Sequence, residues 1–207
     1  MNAKIYLLSA MFATTIFTNV SAQDATSTQS PPPNQSGQPA TQFSITKDKG
    51  LTDFIVVGCE GKTKEELYNK AMEWINKTYN KPSEVIKAQV ENDYIRFQGV
   101  SKDKYCWTNL MSFCDDIRYE VEVSFKDGKY KFAVLGLENY HVTGASGIRR
   151  WDKVDYKDSW THFKKDGEVR KMYANNITQI AGYFNDLSKD LYDYIYNKNA
   201  AAKQNDW

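Results

Sequence analysis

Apolar and polar side chains alternate along three stretches in the middle of the chain. In the clearest one, every second residue from Ile117 to Phe125 is apolar. The intervening side chains include Arg118, Glu120 and Glu122. A period of two places all the apolar side chains on one face of a β-strand. Residues 86–91 and 95–99 alternate in the same way, so we predict three strands that each have one buried and one solvated face.

Short turn signals connect these predicted strands. The pair Asn92-Asp93 separates the first two, and Asp127-Gly128 follows the third. Glycine reaches the positive φ of a tight hairpin without strain, so residues 129–140 are predicted to return as a fourth strand. Within that strand, Gly136 marks a candidate bulge. Further upstream, the run Phe54–Val57 is typical of a strand that is buried on both faces or lies at the centre of a sheet.

Two segments have the periodicity of helices. The first begins at Thr63, which forms a capping box with Glu66, and should run from 64 to about 79 before Pro82 ends it. In the second, apolar residues recur at alternating spacings of four and three, which only a helix places on one face. They are Tyr173, Ile177, Ile180, Phe184, Leu187, Leu191 and Tyr194. The order of elements predicts an α+β fold, with both helices on one face of an antiparallel sheet of about five strands.

The beginning of the chain has the features of an export signal. Lys4 precedes an apolar stretch from Ile5 to Val20, and the small residues of Val20-Ser21-Ala22 are typical of a signal-peptidase site. We predict a signal peptide over residues 1–22 and an exported protein, either periplasmic or secreted. An uncleaved membrane anchor is the alternative, but the apolar stretch is short and polar for a bilayer span. No cysteine lies near the cleavage site, so a lipid anchor is not expected.

Composition divides the rest of the chain. Residues 23–42 are rich in Pro, Ser and Gln and have few large apolar side chains, so we expect a disordered tether. Residues 43–200 should form a single α+β domain, and residues 201–207 a flexible tail. The 207-residue chain has 27 basic and 26 acidic side chains, and this balance makes nucleic acid an unexpected partner.

The chain has three cysteines, Cys59, Cys106 and Cys114. An exported protein is in an oxidising compartment, where thiols tend to form disulfides. We favour a disulfide between Cys106 and Cys114, because they bracket a short segment between two strand-like runs. Cys59 lies in an apolar strand pattern and is predicted to be a small, buried hydrophobic residue. With only two histidines in the chain, a four-ligand metal site is not expected, and no cofactor is predicted.

Several of these residues together resemble a known family. The run Gly61–Tyr68, then Trp74-Ile75, Lys81-Pro82, Val85-Ile86 and the strand Ile95–Gly99 are similar to exported Bacteroidetes-type domains of unknown function. The resemblance covers roughly Phe54 to Tyr140 and implies a TBP-like fold. It implies no activity, and the fold label does not imply DNA binding.

Candidate ligand-binding residues lie in the long segment 142–170, which we expect to be a loop. Flat aromatic faces beside guanidinium groups suit a sugar or an aromatic ligand. The candidates are Arg149, Arg150, Trp151, Tyr156 and Trp160. Alternatively, Trp151 and Trp160 anchor the loop to the sheet, and Lys165-Asp166-Gly167 turns a small hairpin. The run 144–147 before Arg149 superficially resembles a phosphate loop but lacks the Lys-Ser/Thr ending.

The leading functional hypothesis is a non-catalytic binding module for a glycan, a peptide or an envelope protein. It would use either the segment after Tyr140 or the polar sheet face that carries Arg118, Glu120 and Glu122. Another hypothesis is a purely structural domain, in which Tyr183, Tyr192 and Tyr196 form an assembly interface.

A small hydrolase is the alternative from another class. Its two histidines would have to converge with nearby carboxylates, although no familiar nucleophile motif is present. The residues concerned are His141, His162, Asp152, Asp155 and Asp158. The adjacent pair Asp115-Asp116 is expected to lie in a solvated loop, because neighbouring side chains on an extended chain point apart.

Overall fold

A computed structural model of the protein describes residues 39–143 and 147–197. The predicted signal peptide, most of the predicted tether and the predicted tail at 201–207 lie outside the described residues. Residues 39–42 were assigned to the tether, but they pack on the domain, since the Ala40 carbonyl accepts the Val56 amide at 3.1 Å. Residues upstream of the predicted boundary at 43 therefore also contact the domain.

Eight strands and three α-helices make up the described residues. The strands are β1 (Ile45–Thr46), β2 (Gly50–Leu51), β3 (Phe54–Gly58), β4 (Ile86–Val90), β5 (Tyr94–Thr108), β6 (Ser112–Lys126), β7 (Lys129–Thr143) and β8 (Ile148–Lys153). The helices are α1 (Lys64–Thr78), α2 (Pro82–Val85) and α3 (Ala174–Ile195), and a 3₁₀ turn, Lys171–Tyr173, leads into α3.

Six strands form one antiparallel sheet in the order β3-β7-β6-β5-β4, and β8 also pairs with β7. Strands β3 and β8 share one edge of β7, with β3 beside residues 129–133 and β8 beside 138–143. The α+β class and the antiparallel sheet are thus confirmed. The prediction that Phe54–Val57 lies at the sheet centre or is buried on both faces was wrong, because β3 is an edge strand in which Phe54 is exposed and only Ile55 is buried.

Helices α1 and α3 lie on the face of the sheet that carries the apolar side chains. Leu67 and Trp74 of α1 and Phe184 of α3 are buried in the same core as Phe97 and Val121. The capping box is present, since Thr63 Oγ1 accepts the Glu66 amide at 3.2 Å and Glu66 Oε2 accepts the Thr63 amide at 3.0 Å. The opposite face of the sheet carries the polar residues of the alternating pattern. No helix in the described residues is long and apolar enough to span a membrane.

A bulge beside Gly136 changes which residues of β7 face the helices. The register passes from Val121↔Val134 to Glu120↔Gly136, which leaves Leu135 without a partner on β6. Before the bulge Tyr130 and Phe132 are the residues that are fully buried beneath the helices, and after it Leu137 and Asn139 are buried. The predicted bulge therefore turns Asn139 and His141 towards the helices and Tyr140 towards the outer face.

The hairpin between β5 and β6 is longer than the sequence indicated. The segment with two cysteines was expected to be a short loop, but here the strands continue to Thr108 and resume at Ser112. Cys106 and Cys114 are direct cross-strand partners and form the predicted disulfide. Cys59 is the buried free cysteine, and burial raises its pKa to about 11.

Candidate functional site

A group of aromatic and charged side chains lies on the outer face of the sheet, across β6, β7 and β8. Tyr140 and Trp151 are cross-strand partners whose ring centroids are 5.0 Å apart. The Arg118 guanidinium lies 4.7 Å from the Trp151 ring centroid, and its Nε donates to Glu138 Oε2 at 2.5 Å. The Arg149 guanidinium lies 5.9 Å from the Tyr140 ring centroid. We call Arg118, Glu138, Tyr140, Arg149 and Trp151 the outer-face cluster.

Strand β8 creates this cluster, although the sequence predicted a loop there. Pairing with β7 places Arg149 opposite Val142 and Trp151 opposite Tyr140. Because successive side chains alternate between faces, Arg150 points to the other side, where its Nε donates to Asp152 Oδ1 at 2.7 Å. The structure therefore separates the neighbouring candidates Arg149 and Arg150, and it joins Trp151 to the polar face that carries Arg118.

The other two aromatic candidates occupy different environments. Tyr156 is buried, donates to Asn176 Oδ1 at 2.6 Å and packs on the His162 ring, so its side chain is part of the core rather than of an exposed surface. Trp160 is 62% exposed, with Lys47 Nζ 5.4 Å from its ring centroid. The predicted small hairpin is present, because Phe163 bridges Val169 around the turn at Gly167.

Three polar side chains, Asp115, Asn139 and His141, form a hydrogen-bonded group on the helix-bearing face of the sheet. Asp115 Oδ2 accepts hydrogen bonds from Asn139 Nδ2 at 2.8 Å and from His141 Nδ1 at 3.1 Å. Asp115 was expected in a solvated loop, but it lies on β6 with a side chain that is only 11% exposed. The sequence does not indicate this position, because the regular apolar alternation of β6 begins only at Ile117.

His162 is held in a separate buried cluster. Its Nε2 lies 2.7 Å from the Tyr105 hydroxyl, and its Nδ1 lies 2.7 Å from Ser159 Oγ. Burial lowers the His162 pKa to about 4, so the imidazole is neutral near pH 7. Burial also raises the pKa of Tyr105, so both partners stay uncharged. A neutral imidazole between two hydroxyls links the loop to β5 by hydrogen bonds.

The histidines and carboxylates proposed for a hydrolase do not converge in the described residues. His141 is paired with Asp115, whereas His162 is bonded to Tyr105 and Ser159. Asp152 bonds to Arg150, and Asp155 lies 3.7 Å from Lys153 Nζ. Within the described ranges no three His, Cys, Asp or Glu side chains are grouped so that they could hold a metal ion.

The tyrosines proposed for an assembly interface are partly packed within the domain. Tyr183 makes an edge contact with Tyr119 at 5.4 Å, and Tyr192 packs on Tyr196 at 4.8 Å. A groove of about 320 Å³ lies between β3 and α3. Ile55, Tyr130 and Tyr192 line it together with Asn185 and Ser188. This groove lies at the other end of β7 from the outer-face cluster.

Comparison with known proteins agrees with this architecture. Two crystal structures are similar in fold: a DUF4468 family protein from Bacteroides ovatus ATCC 8483 and a TBP-like protein from Parabacteroides distasonis ATCC 8503. The first is 13% identical with a TM-score of 0.54, and the match covers 69% of this chain and 84% of that one. The second is 14% identical with a TM-score of 0.50, and the match covers 70% of this chain and 91% of that one.

No curated protein sequence matches the chain at a significant level. The family model that does match is a domain of unknown function with TBP-like fold, DUF4468, and it aligns with residues 55–139. This range runs from β3 to β7 and agrees with the resemblance noted in the sequence. Over residues 55–139 the chain is thus similar to the DUF4468 domains of unknown function, and it shares their TBP-like fold.

Proposed function

We propose that this chain is an exported, non-catalytic binding module that recognises an extended peptide segment with acidic side chains. The segment would lie along the open edge of β8, over the outer-face cluster. The observation that carries the proposal is the row Arg149, Trp151 and Lys153, in which two cations flank an aromatic ring along a strand edge. Export is supported by the features of residues 1–22 and by the Cys106–Cys114 disulfide.

The edge of β8 offers backbone groups to a peptide. One side of β8 pairs with β7, and no strand within the described ranges pairs with its other side. An edge strand presents N–H and C=O groups that an extended peptide satisfies by adding as the next strand. Backbone pairing supplies affinity for any extended chain, so the side chains of β8 must supply the selectivity.

The charges of β8 select the chemistry of the ligand. In the described part of the chain no carboxylate forms an ion pair with Arg149, and Lys153 has only the distant, exposed Asp155 at 3.7 Å. Alternate residues of an added strand would face Arg149, Trp151 and Lys153 in turn. The favoured ligand therefore carries acidic, aromatic and acidic side chains at alternate positions.

The histidines and carboxylates described above lie in separate places, and this supports a binding role rather than hydrolysis. The one His–Asp pair, His141 with Asp115, has no serine or cysteine nucleophile among its hydrogen-bonding partners. Ser159 is hydrogen-bonded to the buried His162 instead. These contacts favour a module that binds a peptide without cleaving it.

The test uses a synthetic peptide in which two glutamates flank a tyrosine at alternate positions, with titration followed by calorimetry. Reversing both cations, Arg149→Glu with Lys153→Glu, should weaken binding by about tenfold or more, because the paired charges become repulsive. The same variant should bind a second peptide, with lysines in place of the glutamates, better than the wild type does.

A matched control keeps the change in net charge but moves it elsewhere. Lys102→Glu with Lys126→Glu alters two exposed lysines away from β8 and should leave peptide binding unchanged. Equal losses in both double variants would show a non-specific charge effect and contradict the proposal. So would binding of an oligogalacturonate by the wild type without binding of the acidic peptide, since the recognised chain would then be a glycan.

A further inference from the structure

The outer end of the β5–β6 hairpin carries an exposed apolar surface that the proposed function does not use. Leu110 is 98% exposed, Met111 65% and Phe113 44%. Trp107 lies beside them and stacks on Phe113, with ring centroids 5.7 Å apart and an interplanar angle of 21°. We call Trp107, Leu110, Met111 and Phe113 the apolar tip.

The apolar tip is held in one shape. The Cys106–Cys114 disulfide joins the two strands directly behind it. Across the turn, the hydroxyls of Thr108 and Ser112 are 3.1 Å apart, and the Asn109 amide donates to the Met111 carbonyl at 3.0 Å. These four polar groups are paired within the turn, so moving them out of water costs less than moving unpaired groups would.

Charge is excluded from the tip and resumes directly behind it. The nine residues from Cys106 to Cys114 contain no charged side chain, although 26% of the whole chain is charged. Lys102 and Lys104 precede this segment, and Asp115 and Asp116 follow it. Thr108, where β5 ends, is two residues beyond Cys106, roughly 7 Å at the usual rise of a strand, and Leu110 lies in the turn after it. That reach matches the boundary between headgroups and acyl chains, which amphipathic segments enter to a depth of roughly 5 to 10 Å.

The size of the tip distinguishes lipid from a protein partner. Three exposed side chains at a hairpin end offer on the order of a few hundred Å² of apolar surface. A stable protein interface buries about 800 Å² on each partner, so a second copy of the chain could not be held by this surface alone. A bilayer accepts a narrow apolar wedge without a complementary surface. The bracketing charges are of both signs, so attraction to anionic lipid is not required.

We propose that the apolar tip inserts into the interfacial region of a lipid bilayer and holds the domain at a membrane surface. Leu110 and Met111 enter the acyl boundary, while Trp107 and Phe113 lie at the level of the headgroups. The disulfide keeps the turn closed, so that little order has to be gained on insertion. This attachment would be independent of peptide recognition along β8, because the apolar tip and the open edge of β8 are different surfaces.

The test measures partition of the full chain, as its host cell produces it, into phosphatidylcholine vesicles by flotation. All variants keep the same N-terminus, so any binding through residues 5–20 is common to them and cancels in the comparison. The tip variant Leu110→Ser with Met111→Ser should partition at least about tenfold less than the wild type, because it lacks the two apolar side chains that enter the bilayer. The control Val100→Ser with Leu135→Ser changes two exposed apolar residues away from the tip and should partition like the wild type.

Two further measurements decide between lipid and other partners. Adding phosphatidylglycerol to the vesicles should change wild-type partition by less than about threefold, given the mixed charges behind the tip. Bromine-labelled lipids should quench the wild-type fluorescence, and Trp107→Phe should remove that quenching while partition is retained. Equal partition of the wild type and the tip variant would overturn the proposal. A lipid-free dimer that the tip variant abolishes, with no vesicle binding, would overturn it too and would indicate self-association.

Discussion

Gly99 shows how a single missing side chain organises the core. It pairs across strands with Tyr119, whose hydroxyl would lie 2.3 Å from a Cβ built on Gly99. The tyrosine ring therefore occupies the space above the glycine, and its hydroxyl lies 2.9 Å from that of Tyr79 at the end of α1. The alternation of β5 predicted that residue 99 points inward, but it gave no reason for a glycine. The reason lies on the neighbouring strand.

Gly99→Ala should destabilise the protein by about 1 to 3 kcal/mol, because a methyl group has no space beside the Tyr119 ring. Urea unfolding should show a lower midpoint with an unchanged dependence on denaturant. The matched control is Gly136→Ala on the outer face, where the nearest atom to a new Cβ is Glu120 Cβ at 3.9 Å. Its free energy of unfolding should stay within about 0.5 kcal/mol of the wild type. Similar losses in both variants would contradict the crowding at Gly99.

At the level of elements, local signals were sufficient where one face of the chain is buried. The alternation of β6, the capping box at Thr63 and the turn at Gly128 are each encoded within a few residues, and all three are confirmed. The location of β3 at the sheet edge was not predictable in this way. It depends on which strand reaches each side of β7, and this is decided by residues far apart in the chain.

The sequence did not predict β8 or the full length of the β5–β6 hairpin, and the two omissions have a related cause. Trp151 is oriented by its pairing with Tyr140 rather than by a pattern of its own, since both sides of β8 carry polar residues. Beyond Ser101, a register shift opposite Asp116 interrupts the alternation of β5, so the sequence pattern does not predict that the strand continues there. The outer-face cluster was consequently predicted as two separate alternatives, a loop and a sheet face. The structure unites them.

The disulfide should stabilise the hairpin end more than the domain as a whole. Replacing both Cys106 and Cys114 by Ala should lower the free energy of unfolding by about 2 kcal/mol, because only a short loop is released in the unfolded chain. Amide exchange should accelerate mainly at residues 102–116, while the amides of β6 opposite Phe132 stay protected. Cys59→Ala, which leaves the disulfide intact, should not change exchange in the hairpin. Uniformly faster exchange in the Cys106/Cys114 variant would show that the cross-link supports the whole sheet instead.

For the whole molecule, α3 is the element that connects the remaining parts. Asp190 Oδ2 accepts from Trp74 Nε1 of α1 at 2.8 Å, and the Ser188 carbonyl accepts from the Tyr130 hydroxyl of β7 at 2.9 Å. Asn185 makes two bonds to the backbone of Phe43, whose amide donates to Oδ1 at 2.6 Å and whose carbonyl accepts from Nδ2 at 3.0 Å. Besides packing through its apolar stripe, α3 therefore holds other segments through polar side chains. We call the two hydrogen bonds from Asn185 the clamp on Phe43. The apolar pattern of the helix does not predict these hydrogen bonds, because their partners come from segments that are distant in the sequence.

The clamp on Phe43 can be tested separately from the packing of α3. Asn185→Ala should lower the free energy of unfolding by about 2 kcal/mol, because two partly buried hydrogen bonds to the backbone are lost. The Phe43 amide should exchange faster than the amides of the α3 core. Asp186→Ala is the matched control, since it changes an exposed neighbour on the same helix and should stay within about 0.5 kcal/mol of the wild type. Unchanged stability and exchange in Asn185→Ala would mean that Phe43 is held by its ring contacts with Phe132 and Phe184 alone.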